Sequence, residues 1–141
     1  MNQLIFLLVV KLEQVSLYYK GMTMDLVKEI IMFKDENIEQ IRKEAQAAAD
    51  KAQSDGLAQG REDAYCGFGW VEVQVPRTNS KEAKALEKMG FKKSYRPRRM
   101  DMWKPGHYNG QSMTIHELGA DAYAEVLRNY GFKAYGHSRA D

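Results

Sequence analysis

The sequence predicts an α+β domain of order β-α-β-β-α-β, preceded by a helical arm. Three observations carry this reading. The second half of the chain repeats itself: a capped helix runs twice into Gly-Phe-Lys, at Gly90-Phe91-Lys92 and again at Gly131-Phe132-Lys133. Valines alternate with other residues in Trp70-Val71-Glu72-Val73-Gln74-Val75, the period of a half-buried strand. Upstream, apolar residues fall at 24, 27, 31, 38, 41, 45, 48 and 52, which is heptad spacing.

Taken in order, residues 1–23 form an N-terminal extension of uncertain role. Its apolar stretch from Leu4 to Val10 is too short to span a bilayer and lacks a basic leader and a small-residue cleavage site. A strand or short helix packed on the rest is expected there, with no membrane partner. Residues 24–60 are an amphipathic helical arm and linker, with Lys34 the one break in phase and Glu39–Lys43 an i,i+4 pair. Beyond Ile41 the seam is only Ala45, Ala48 and Ala52, which bury little surface. The arm therefore either lies on the domain or uses residues 24–52 for self-association or a partner. The stretch from Ser54 to Gly60 reads as helix stop and linker.

The domain proper covers residues 61–141. Its first strand, residues 70–75, closes at Pro76. Asn79 is the expected N-cap of the next helix, with Glu82 as capping-box partner and Ala83, Leu86 and Met89 as the apolar face. Gly90 suits a left-handed helix end. A strand over 91–95, an Arg96-Pro97-Arg98-Arg99 turn and a strand over 100–104 follow. After the loop 105–112, Thr114 caps the last helix with Glu117, and Met113 and Leu118 form a hydrophobic staple. Gly131 ends that helix and the fourth strand occupies 132–137. This order is the split β-α-β, or ferredoxin-like, arrangement, with right-handed crossovers.

Bulk properties bound the rest. At 141 residues and 44% hydrophobic content, one domain with a modest core and an extension is expected. Cys66 is the single cysteine, so there is no intrachain disulfide or thiolate metal cage, and a reducing, cytoplasmic compartment fits best. The net charge of +2 hides an asymmetry. Residues 1–66 hold 8 Lys/Arg against 11 Asp/Glu, whereas residues 67–141 hold 13 against 8. Between Lys92 and Lys104 there are six basic residues and one acid, Asp101, so the positive excess is a local patch.

Alternation divides the strand residues between two faces. With Val71, Val73, Val75, Met100, Met102, Phe132 and Ala134 inward, Trp70, Glu72, Gln74, Asp101, Trp103, Lys133, Tyr135 and His137 point outward. Exposed aromatics among cations suit stacked bases and a phosphate backbone. A nucleic-acid interface is expected from Lys92, Lys93, Arg96, Arg98, Arg99, Trp103, Lys133 and Tyr135. The competing reading has the helical arm covering this face, so that both tryptophans are core. A second candidate is an anion-binding loop at Asn109, Gly110, Gln111 and Ser112, ahead of a helix N-terminus; a plain connecting loop is the alternative.

No catalytic set emerges. His107, His116 and His137 lack metal-ligand spacing and could form a metal site only if the fold gathers them, Ser112 and Ser138 lack a nucleophile-elbow pattern, and Cys66 could form a nucleophile pair only with a distant histidine. No cofactor or metal is expected.

Three resemblances add to this. From Cys66 onward, the chain resembles a family of small uncharacterised proteins of tailed phages. The likeness rests on Cys66-Gly67-Phe68-Gly69-Trp70-Val71, Asn79-Ser80-Lys81, Gly90-Phe91, Met102-Trp103-Lys104-Pro105, Asn109-Gly110-Gln111-Ser112, Gly119-Ala120-Asp121-Ala122-Tyr123-Ala124 and Ser138-Arg139-Ala140-Asp141. It implies expression in a host cytoplasm and no particular activity. The octapeptide from Cys66 to Val73 is similar to that of RNA-recognition motifs, but begins with cysteine and falls on the first strand. The stretch from Val71 to Phe91 is similar to the late strand–helix–strand of GNAT acetyltransferases, which implies an acyltransferase. Their pyrophosphate loop is matched in letters by Gln53-x-x-Gly56-x-Ala58, close to Trp70.

Overall fold

The computed structural model describes residues 33–141. The expectations for the 1–23 extension, and the seam positions Met24, Val27 and Ile31, lie outside the described residues. Among those described there are three helices and a four-stranded antiparallel sheet, an α+β fold. The order is α1 (Asp35–Ala58), β1 (Gly67–Gln74), α2 (Lys81–Met89), β2 (Lys92–Lys93), β3 (Arg99–Trp103), α3 (Met113–Asn129) and β4 (Lys133–Ala140). The strands lie in the order β2-β3-β1-β4. The two Gly-Phe-Lys repeats therefore lead into the two edges of one sheet.

Those repeats build the same helix end twice. Gly90 (φ 105°) and Gly131 (φ 95°) both adopt the left-handed conformation that glycine tolerates without strain. After α2, the amides of Gly90 and Phe91 donate to the carbonyls of Glu87 and Leu86; after α3, those of Gly131 and Phe132 donate to Arg128 and Leu127. Each is a Schellman closure, and each folds its phenylalanine back into the core, where Phe91 and Phe132 are buried.

The N-caps differ from expectation. Ser80, not Asn79, caps α2 by accepting from the Ala83 amide, and Ser112, not Thr114, caps α3 by accepting from the Ile115 amide. In each case serine stands three residues before the first buried position inside the helix, and its hydroxyl accepts from that residue's amide. The second strand shrinks from 91–95 to Lys92–Lys93, because the Ser94 amide turns back to the Arg99 carbonyl and closes the arginine turn. The fourth strand is longer than expected, running on through Arg139 beside Phe68.

The described part of the helical arm packs into the domain. Lys34 marks a boundary, since α1 starts at Asp35. It then continues through Gly56 to Ala58, so Ser54 to Ala58 is helix and not linker. Its buried residues are Asn37, Ile38, Ile41, Ala45, Ala49, Gln53 and Gly56. After Ala45 this drifts one residue ahead of the heptad seam, leaving Ala48 and Ala52 half-buried. A straight helix repeats every 3.6 residues and departs from a strict heptad unless a partner supercoils it. Here the stripe faces α3, and Ile38, Ile41, Ala45 and Ala49 share one core with Val71, Val73, Leu86, Tyr123 and Leu127. The described part of the stripe is thus spent inside the monomer.

Polar contacts fasten the arm at both ends. The Tyr130 hydroxyl donates to Glu44, and Lys88 pairs with Asp35. Farther along, buried Gln53 donates through Nε2 to the Pro105 carbonyl at 3.1 Å and accepts the Tyr108 amide at 3.2 Å. Asp50 accepts the His107 amide at 2.9 Å. The loop 105–112 is therefore pinned to α1. Gln53→Ala is expected to cost ~2 kcal/mol in chemical denaturation, because it strands a buried carbonyl and a partly buried amide. A loss below ~0.5 kcal/mol would show that the loop is held elsewhere.

Candidate functional site

The helices cover one face of the sheet: Val71, Val73, Met100 and Ala134 are fully buried there. No described helix lies on the other face, so the reading in which the arm covers the tryptophans is corrected for residues 35–58. Trp103 is 50% exposed and Tyr135 46%.

Antiparallel register sets the pattern of this open face. Trp70 lies opposite both Trp103 on β3 and His137 on β4, and Glu72 lies opposite Asp101 and Tyr135. Three rings consequently stand side by side across three strands. Trp70 and Trp103 stack with centroids 4.7 Å apart and planes 24° apart, and Trp70 and His137 stack at 5.5 Å and 20°. Phe68 closes on Trp103 edge-to-face at 6.2 Å. Such spacings are favourable for aromatic pairs.

Next to this row is a charged one. Glu72 is buried although it sits on the open face, because cations roof it. Arg99 Nε donates to it at 3.1 Å, Arg96 Nη1 at 3.5 Å, and His137 Nε2 lies 3.7 Å away. Asp101, across the strand pair, has its carboxyl raised above the ordinary value, first by burial and further by the Glu72 charge; a hydrogen bond from Ser94 and nearby His137 and Arg96 oppose this.

The expected interface residues separate accordingly. Lys92 and Lys93 are exposed on the edge strand β2, with Lys92 opposite Asp101. Lys133 and Tyr135 are exposed on β4, and Trp103 on β3. Arg96 and Arg99, by contrast, are engaged by Glu72, which removes much of their charge from the surface. Arg98 sits in the left-handed region at φ 58° at the tip of the turn. It faces a separate concavity of about 380 Å³, shared with Gln74, Glu82 and Lys133. Alternation put Trp70 and His137 on this face but not among the expected interface residues, passed over Phe68, Tyr95 and Arg139, and missed Glu72 as a hub. Alternation placed Glu72 outward, but its partners depend on the β1–β3 register, which has no local signal.

The anion-binding expectation is corrected at Ser112 and the helix end. Ser112 is buried, and its hydroxyl donates to Asp63 at 2.8 Å; Thr114 also donates to Asp63. These two hydrogen bonds, Thr114 first, hold the Asp63 carboxyl below its usual range. The chain thus supplies its own anion at the start of α3. Asn109 is exposed, the Gly110 carbonyl accepts from His116 Nε2 at 2.8 Å, and the Gln111 carbonyl accepts the Gly67 amide. The loop is spent on its own connections. Likewise, Gln53, Gly56 and Ala58 lie within α1 and form no pyrophosphate loop.

Among the described residues, no group of three or more His, Cys, Asp or Glu could hold a metal ion, and no helix is long and apolar enough to cross a membrane. Comparison with protein-family models, with curated proteins and with solved structures finds no match.

Proposed function

We propose that the chain is a small phage-type, non-enzymatic binding module that takes single-stranded nucleic acid on the open sheet face. The proposal includes a ferredoxin-like arrangement, supported by the strand order β2-β3-β1-β4, and work in a host cytoplasm. One observation carries the reading: a row of stacked aromatic rings lies on the sheet face that no described helix covers, with Lys92 and Arg139 beside it and Lys133 farther along β4. An apolar face bordered by cations fits unstacked bases joined by a phosphate backbone, whereas paired bases in a duplex offer no free ring. The self-association alternative draws no support from α1, whose described apolar stripe is buried.

The test is a titration with single-stranded and duplex oligonucleotides at two salt concentrations. Binding to the single strand is expected to weaken steeply with salt. In the triple variant Lys92→Ala/Lys133→Ala/Arg139→Ala, the slope of log K against log salt should fall by about 2, roughly 0.7 for each lost phosphate contact. Arg96 and Arg99 are poor targets here, since removing them leaves Glu72 buried and uncompensated. Absence of binding at low salt, or equal affinity for the duplex, would overturn the reading.

A further inference from the structure

The aromatic row ends abruptly at Trp103. Trp70 covers one face of its indole at 4.7 Å. On the other side, the next strand should continue the row, but β2 has only two residues, paired with Asp101 and Met100. No residue of β2 lies opposite Trp103. Trp103 instead lines a concavity of about 680 Å³ that extends past it to Met102, Gly90 and the segment from Lys92 to Arg96, and reaches Trp70 and His137 on its other side. Tyr95 lines the same concavity and is 95% exposed, so its ring is held against nothing among the described residues. Four basic side chains, Lys92, Lys93, Arg96 and Arg139, line it against two acids, Glu72 and Asp101.

We propose that this concavity captures one unpaired nucleobase, which extends the stack on the outer face of Trp103 and is closed over by Tyr95. The inference rests on the nucleic-acid reading and narrows it to a single subsite. The base would become the fourth member of the row after His137, Trp70 and Trp103, while Lys92 and Lys93 on the rim receive the attached phosphate. A flat ring between two aromatic rings loses water on both sides, and stacking of this kind tolerates any base. Tyr95 projects from a turn and makes no ring contact among the described residues, so it is free to swing onto the base.

The same base chemistry could arrive as a free mononucleotide or within a strand; the subsite is assigned to a strand because cations continue beyond it, at Arg98 and Lys133. Both tryptophans of the chain lie in the row, so their fluorescence reads the site directly. The probes are AMP, an eight-residue oligo(dT) and oligo(dA), and a duplex of the two. Single strands should quench the fluorescence saturably, with AMP bound at least about tenfold more weakly because it brings fewer phosphates. Trp103→Ala should weaken oligonucleotide binding by about 10- to 100-fold and Tyr95→Ala by about fivefold, with Tyr95→Phe restoring it. Tyr95 is almost fully exposed, so its variants should keep the wild-type unfolding midpoint; Trp103→Ala gives up the stack on Trp70 and should stay folded with a lowered midpoint. Oligonucleotide binding that is unchanged in Tyr95→Ala and Trp103→Ala overturns the subsite and leaves the broader reading standing. AMP binding as tight as the strand overturns the strand assignment, and no binding of any probe overturns both.

Discussion

Ile41→Glu is expected to leave the protein unfolded, as a loss of the cooperative thermal transition at neutral pH. Ile41 is 1% exposed, on the face of α1 that packs against α3, within the core that includes Leu127 and Val71. Removing its side chain forfeits ~2–3 kcal/mol of burial. A glutamate in its place must either stay charged in an apolar site or take up a proton near pH 7, which adds ~3–4 kcal/mol. The sum matches the lower end of the stability of a domain of this size, ~5–15 kcal/mol. The outcome separates two roles for the helix. If α1 were an arm reserved for another chain, the variant would melt like the wild type and only its oligomeric state would change.

Gly69→Val is the second large effect, with an expected loss of ~3 kcal/mol and a fall in Tm of roughly 10 °C. Gly69 lies on the helix-facing side of β1, where the first turns of α3 press against the strand. A Cβ built there would lie 2.7 Å from the His116 carbonyl oxygen and 2.9 Å from its carbon, so backbone and not a flexible side chain stands in the way. Gly67 meets the same helix, with Met113 Cβ at 2.8 Å. The alternation Gly67-Phe68-Gly69 thus lets α3 approach while Phe68 reaches the opposite face. A wild-type Tm for Gly69→Val would mean that α3 can move outward at little cost.

The fold was readable wherever chemistry is local. The two glycine–phenylalanine helix ends, the valine alternation and the arginine turn each announce themselves within a few residues, and together they order the strands. The N-caps were misplaced because Asn79, Ser80, Ser112 and Thr114 all carry capping side chains, and the choice rests on where the helix first meets the core. The helical arm was harder. Its sequence carries a heptad rhythm, but the straight helix follows its own pitch against α3, so Ala49 and Gln53 replace Ala48 and Ala52 in the buried stripe. The site divided in the same way. Outward-pointing Trp103, Lys133 and Tyr135 followed from alternation, whereas the neutralisation of Arg96 and Arg99 by Glu72 depends on strand pairing across more than twenty residues. The loop at Ser112 looked open to an anion because nothing nearby in sequence points to Asp63, 49 residues away, as its occupant.

The contact between Trp70 and Trp103 has a spectroscopic consequence. Two indoles this close, with transition dipoles locked in a chiral arrangement, couple as an exciton pair. The far-ultraviolet circular dichroism should then carry a paired positive and negative band that belongs to neither helix nor sheet. Helix content fitted without it will be wrong, and its collapse will report the splaying of β1 from β3 even while the helices on the other side stay intact.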